Sequence, residues 1–531
     1  MGTAGWGMRV ALDRLPEHFR VWNAPEGSVE MEVLGLVYFP PLRRNAVTLE
    51  WEAAYAASFE VALDGTSVTI TLREGLYWSD GEPLTAEGFV FAASVYQSGK
   101  VTVARSLSVN GEQTVWSASG DLEYTVSTGG QPYGSLLEIA NIPPLPKHLL
   151  DPYDERDFNT LNDIYGLSTD PKTLVGNGPF VPVEIDLTDN YWVTLKKNPY
   201  YFEEDSDGLP LPYLSAVRFV GGNKINLFNS RDAELTVVSG TARQYITRAG
   251  AQVYNAGPGD TQVIFFNQNP VGVDEPEYTW LTTPEFRKAI AHIVNRARIV
   301  TEAYSGYASP AYLPIHPESP YYSSDAEAVV PAYSLGAAAD LLDELGWTDT
   351  DADDIREYTP GVPLQLALIA PSGNTRIAAL CNIITLEAAA VGISLTVSNP
   401  ANFESALAAQ DWQLACVGIQ SVLDPALLDS LIPSYGGHHL SEPSQTTPRQ
   451  DWEIAADTLW ETVMEAPDGE ARAEALQGIQ QIWAEDLPWI YVAAPNVYEA
   501  YQGTIANVSG SVLHPFPGHG WRAIASRLFY Q

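Results

Sequence analysis

Two hydrophobic rhythms run along the chain, and each predicts a different element. In residues 59–74, FEVALDGTSVTITLRE, Val68, Ile70 and Leu72 alternate with Thr69 and Thr71, and Asp64-Gly65 precedes them. A period of two beside an Asp-Gly pair predicts a β-hairpin. A short helix is predicted at 87–95, and strands at 190–197 and 215–220. Between them, 101–142 is polar and glycine-rich with strand-like patches such as 123–127, and 143–172 holds a proline cluster and acidic loops. In 285–304 the period lengthens. Phe286, Ile290, Ile293, Ala297 and Val300 fall on one stripe, which predicts one long amphipathic helix. Strand, helix and strand follow at 364–370, 375–391 and 392–397, a βαβ unit that favours parallel pairing. A strand at 412–420, helices near 450–465 and 470–485, and an apolar strand at 488–500 complete the pattern. No internal period recurs, so mixed α/β lobes are expected rather than a repeat array.

Composition narrows the function. A chain of 531 residues suggests two to four domains. Its 66 Asp and Glu outnumber 28 Lys and Arg, for a net charge of −38. Such a surface is repelled by phosphate backbones and anionic membranes, so no nucleic-acid partner is expected. Only seven of the basic residues are lysine, a balance met in proteins kept soluble in salt or working outside the cell. No window approaches the roughly 18 consecutive apolar residues of a membrane span. The opening MGTAGWGMRV lacks the basic and apolar regions of a signal peptide. An exported protein freed of its leader and anchor would begin this way, and so would a cytosolic one.

Catalytic signatures are missing. There is no GxxxxGK(S/T), GxGxxG, GxSxG or HExxH. The eight histidines are scattered, and the one adjacent pair, His438-His439, reads as a solvated turn rather than a metal site. No cofactor is therefore expected. Cys381 and Cys416, in no CxxC pairing, read as buried free thiols, with a disulfide between the Cys381 helix and the Cys416 strand as the alternative. Carboxylates are abundant enough that some pair would suit a secreted glycoside hydrolase, the alternative from a different class.

The strongest local pattern is 72–91, LREGLYWSDGEPLTAEGFVF. It resembles the signature of the family 5 extracellular solute-binding proteins, receptors of ABC importers for peptides, nickel chelates and oligosaccharides. Asp80-Gly81 turns the chain, Thr85 is placed to cap a helix, and Glu87 lies in its first turn. Further pieces follow in the family's order: VGNGPFVP at 175–182, LKKNPYY at 195–201, PYLSAVRF at 212–219, TQVIFFNQNP at 261–270, PEFRKAIAHIVNRAR at 284–298 and YSLGAAADLLDELGW at 333–347. Stretches 363–397 and 410–418 resemble the second lobe. The resemblance spans about residues 30 to 500.

It implies an α/β, two-lobed periplasmic-binding-protein type II-like fold with an additional mixed α+β domain (cluster C). Lobe I would comprise 1–40, 170–265 and 490–531, the extra domain 41–169, and lobe III 266–489. An oligopeptide, or in the close alternative an oligosaccharide, would be captured between lobes I and III and passed to the membrane permease of an ABC importer. The receptor would be a monomer, periplasmic or extracellular, and tethered at the surface.

The resemblance also points to ligand residues. Peptide-binding members hold the peptide's ammonium group with an Asp soon after a strand ending in Gly-Trp, because a buried ammonium needs a charged partner. Counting from Gly418, the Trp falls on Ile419 and the Asp on Val422, so the anchor is missing or shifted to Asp424. Asp424 is the leading binding candidate; otherwise it caps a helix over 426–431. Gln420 and Ser421 follow the strand end, where open α/β lobes bind ligands. Phe266 and Asn267 would lie at the lobe crossover, Trp22 and Asn23 in a loop near the cleft, and Tyr435 at its mouth. The 14 Trp and 27 Tyr offer stacking faces for a sugar, although most Trp serve packing.

Overall fold

The computed structural model describes residues 7–25, 27–45, 50–109, 112–130, 136–150, 158–166, 168–186, 191–421, 425–443, 445–465, 469–507 and 525–530. The chain divides into two compact units. The first comprises 1–257, 464–467 and 497–531, and the second 258–463 and 468–496.

Within the first unit a mixed sheet runs in the order Phe180–Asp186, Trp192–Lys197, Ala216–Gly221, Met8–Leu12, Leu235–Ser239, and the Val497–Tyr501 half of the last long strand. Met8–Leu12 lies parallel to both neighbours, and the other pairings are antiparallel. A second sheet, fully antiparallel, follows the order Ala56–Val61, Ser67–Leu72, Glu123–Ser127, Val115–Ala118. The predicted hairpin is its first pair. Gly65 sits in the turn at φ +67°, a left-handed conformation that glycine takes without steric cost. Val68, Ile70 and Leu72 point inward, all but fully buried. Helix Ala86–Gln97 packs on this sheet, with Phe89 stacked on Tyr124 at 4.9 Å. Thr85 occupies the N-cap position in extended backbone, but its side chain makes no capping hydrogen bond.

In the second unit the sheet runs Ser394–Ser398, Gln365–Ile369, Leu414–Ile419, Thr261–Phe266, and then the Trp489–Ala493 half of the long strand. The βαβ unit is present: Gln365–Ile369 and Ser394–Ser398 pair in parallel across helix Thr375–Ala389. All six residues of Thr261–Phe266 are buried, as expected for a strand covered on both faces. The single helix expected over 285–304 is two, Pro284–Ile293 and Arg296–Glu302. Asn295 ends the run by capping the second helix, its side chain accepting from the Arg298 amide. Among the described residues no helix is long and apolar enough to cross a membrane.

Candidate functional site

In the second unit, the C-terminal end of Leu414–Ile419 meets the N-terminal end of Thr261–Phe266, because the two strands are antiparallel and Thr261 opposes Ile419. Ser421, just past the strand end, is buried. Its Oγ donates to the Gly259 carbonyl, so the hydroxyl of Thr261, 2.6 Å away, donates to Ser421. A hydroxyl whose proton is held by a backbone carbonyl is a hydrogen-bonding group, not an activated nucleophile.

Both residues line a small pocket together with 311–317 and Tyr322. Its walls carry polar atoms but little charge. Burial pushes the His316 imidazole down to about 4, so it is neutral at physiological pH, and its Nδ1 accepts from the Glu318 amide at 3.2 Å. Tyr322 donates to Glu327 at 2.5 Å, and burial together with that carboxylate pushes its phenol well up. Buried Arg296 fixes the wall: its Nε donates to Ala311 O at 2.8 Å and Tyr491 O at 3.0 Å, and its guanidinium lies 4.7 Å over the Tyr312 ring. Hydroxyls, a neutral imidazole and aromatic faces give this pocket an uncharged polar lining.

The structure brings Ser421 and Gln420 together at this strand end, Ser421 buried and Gln420 exposed. Asp424 lies outside the described residues, as does Val422. Phe266 and Asn267 stand at the other end of their strand, five residues or roughly 17 Å from Thr261. Both are fully buried. The Asn267 amide donates to Gln410 O at 2.9 Å and Trp412 O at 2.7 Å, tying down the segment that leads into Leu414–Ile419. Tyr435 is 53% exposed, and burial reinforced by Asp457, Glu461 and Asp429 pushes its phenol up to about 12. Trp22 and Asn23 belong to the first unit. Trp22 is fully buried with its ring 6.0 Å from that of Tyr165, and Asn23 is half-buried in a short 3-10 turn. Thr261, His316 and Tyr322 were not singled out by sequence. The proline-spaced run 310–320 was the available sign of a loop shaped for contact.

His439 is not in a solvated turn. It is fully buried, stacked on Trp452 at 5.5 Å and edge-on to Trp489 at 5.5 Å, with Nε2 3.4 Å from Glu453 Oε1. Aromatic packing, invisible in the local sequence, draws one histidine of the pair inside. Among the described residues, one carboxylate group is close enough to share a cation: Asp349, Asp351, Asp353 and Glu357, with oxygens within 4.8 Å of one another. Its first three members are exposed, and Glu357 accepts the Thr350 amide at 2.7 Å.

The family model of the bacterial extracellular solute-binding proteins, family 5 Middle, matches residues 50–436. A probable ABC transporter-binding protein of Deinococcus radiodurans is 24% identical over 507 residues, covering 86% of this chain and 82% of its own length. The oligopeptide-binding protein AppA of Bacillus subtilis is 22% identical over 504 residues, covering 89% and 83%. The solved structure of AppA from Bacillus subtilis with a nonapeptide superposes with a TM-score of 0.71 at 20% identity, covering both chains in full. MelB of Agrobacterium fabrum C58, solved with stachyose, gives 0.74 at 18% identity, covering 100% of this chain and 85% of its own. The likeness carries the fold, an α/β binding-protein architecture. With well over half of its residues matched by the family model, this chain belongs to the family 5 extracellular solute-binding proteins.

Proposed function

We propose that the protein captures an oligopeptide between two closing lobes and delivers it to the membrane permease of an ABC importer. It acts as a monomer, outside the cytoplasm and tethered at the surface, and turns nothing over. The family match carries the receptor role. The peptide assignment draws on the AppA likeness along most of both chains and on a cavity whose hydroxyls and neutral His316 match the donors and acceptors of a peptide backbone. In this reading lobe I is 1–40 with 170–265 and 490–531, and lobe III is 266–489, although the division into two compact units sets 258–265 and 490–496 with the second unit. The domain 41–169 is supported by its separate four-stranded sheet. Asp424, Gln420, Ser421 and Tyr435 would contact ligand from one lobe, and Trp22 and Asn23 from the other.

An oligosaccharide is the second reading. It is favoured by Val422, which stands where a peptide receptor would carry its acid, and by the uncharged cavity. Mass spectrometry of ligand released from the purified protein decides between them. Peptides in the released fraction support the proposal, and oligosaccharides without peptides refute it.

A further inference from the structure

Both ring nitrogens of His439 face acceptors. The ring is fully buried, stacked on Trp452 with 17° between the planes and edge-on to Trp489. Nδ1 lies 3.1 Å from the Leu431 carbonyl oxygen, and Nε2 lies 3.4 Å from Glu453 Oε1. A carbonyl oxygen only accepts, so Nδ1 carries a hydrogen. A neutral imidazole with its hydrogen on Nδ1 turns the bare lone pair of Nε2 toward the Glu453 oxygen. The other neutral tautomer sets a bare Nδ1 against the carbonyl. Flipping the ring would put carbon against both oxygens. Only the doubly protonated ring gives each oxygen a donor.

Glu453 is committed to the complementary charge. It is 1% exposed and stands in the first turn of helix Asp451–Glu465. Its Oε2 reaches back to the Arg449 and Gln450 amides at 2.7 and 2.9 Å, and Oε1 accepts from Gln445 Nε2 at 2.8 Å. Three N–H donors and the helix N-terminus favour the ionised carboxylate. Buried in this way, it needs a counter-charge. The other charged groups nearby are engaged elsewhere. Arg449 pairs with Glu442 at 2.8 Å. Arg287 donates to three backbone carbonyls and feels Glu453 less than Asp486 and Glu285. Tyr278, its phenol pushed up by burial and by Glu442, is uncharged. We propose that His439 is an imidazolium at neutral pH and that its ion pair with Glu453 latches segment 431–441 onto helix Asp451–Glu465. The Trp452 face against the ring suits a cation. Ser434 adds a second tie from the same segment, its amide and hydroxyl donating to Asp457 at 2.8 and 2.6 Å. The latch thereby holds the stretch that carries Tyr435.

NMR of the full chain with nitrogen-labelled histidine tests the charge state, at a pH about one unit above the ordinary imidazole value of about 6.5. His439→Asn identifies the His439 signals among those of the eight histidines. In wild type both of its ring nitrogens should carry hydrogens. Glu453→Gln removes the counter-charge, and the ring should then keep only one, a change that packing alone would not produce. That difference also assigns the ring should His439→Asn misfold. Amide hydrogen exchange over 431–441 measures the latch, with melting curves confirming that each variant folds. Either single substitution should speed exchange there by about 100-fold or more, the scale of breaking one buried ion pair. The double variant removes both charges, so its factor should fall well short of the product of the two. A bare ring nitrogen on His439 in wild type, or a ring still doubly protonated in Glu453→Gln, overturns the ion pair. Unchanged exchange over 431–441 in the single variants, or factors that simply multiply in the double variant, overturns the latch.

Discussion

Removing the Ser421 hydroxyl should loosen the strand end on which the site is built. Ser421 Oγ donates to Gly259 O and receives the Thr261 hydroxyl at 2.6 Å, with both side chains buried. Alanine at 421 leaves a carbonyl and a hydroxyl without partners. A buried polar group left unpaired costs about 1–3 kcal/mol, so Ser421→Ala should destabilise this region by about 2–4 kcal/mol. Thr261→Val removes the shared bond but leaves Ser421 on Gly259, so about 1 kcal/mol is expected. In the double variant the orphaned Thr261 hydroxyl is gone, and its cost should fall short of the sum by about 1 kcal/mol. A chain of two units need not unfold in one step, so the local readout is amide hydrogen exchange across 414–421 and 261–266. Protection changed by less than about 0.5 kcal/mol in Ser421→Ala, or strict additivity in the double variant, would refute the hydrogen-bonded latch.

Three further outcomes are expected. Glu453 is buried and accepts from Gln445 and from the Arg449 and Gln450 amides, with His439 Nε2 3.4 Å away; desolvation pushes its carboxyl up, but these neighbours hold it below the usual glutamate range. Its stabilising contribution is full above 4.5 and lost as pH falls through the depressed value, so Glu453→Gln should cost about 2–4 kcal/mol near neutrality and less in acid, read by denaturant midpoints across pH. The neutral His316 stabilises the fold above 6.5, and that contribution fades down to about 4; His316→Asn should remove up to about 3 kcal/mol of the wild-type stability loss across that window. Cys381 and Cys416 are buried free thiols, and the neighbouring Cys381 side chain and burial push the Cys416 thiol well up. Both should resist alkylation in the native protein, and denaturation without reductant should expose two thiols.

Legibility from sequence followed the range of the interactions. The 59–74 hairpin and the βαβ unit could be read because alternation, an Asp-Gly turn and a helical stripe are all local. The break at Asn295 was hidden because the apolar stripe continues past it, although an asparagine inside the stripe was the available sign of a cap. The placement of Thr261–Phe266 between Leu414–Ile419 and Trp489–Ala493 could not be read, since pairing across that many residues leaves no trace in periodicity. The site divided in the same way. Ser421 was found from its position after a strand. Thr261 was not, because it acquires meaning only from register with a strand about 160 residues away.

Charge supplies a last constraint on the ligand. In the second unit the buried arginines Arg287 and Arg296 are spent on the backbone. Arg287 donates to Asp486 O, Leu487 O and Leu281 O, and Arg296 to Ala311 O and Tyr491 O. Burial lowers both to about 10, which leaves them charged at physiological pH and acting as clamps for chain segments. The whole chain carries a net charge of −38, and such a field gathers cations and repels anions. If peptides are the ligand, the association rate should therefore depend on peptide charge. At low salt a lysine-containing peptide should associate roughly tenfold or more faster than its glutamate counterpart. The two rates should converge near 1 M salt, where the screening length falls to about 3 Å. Stopped-flow fluorescence across a salt series measures this directly. Equal rates for the two peptides at low salt would mean that the surface field does not reach the site, and the acidic composition would then bear on solubility alone.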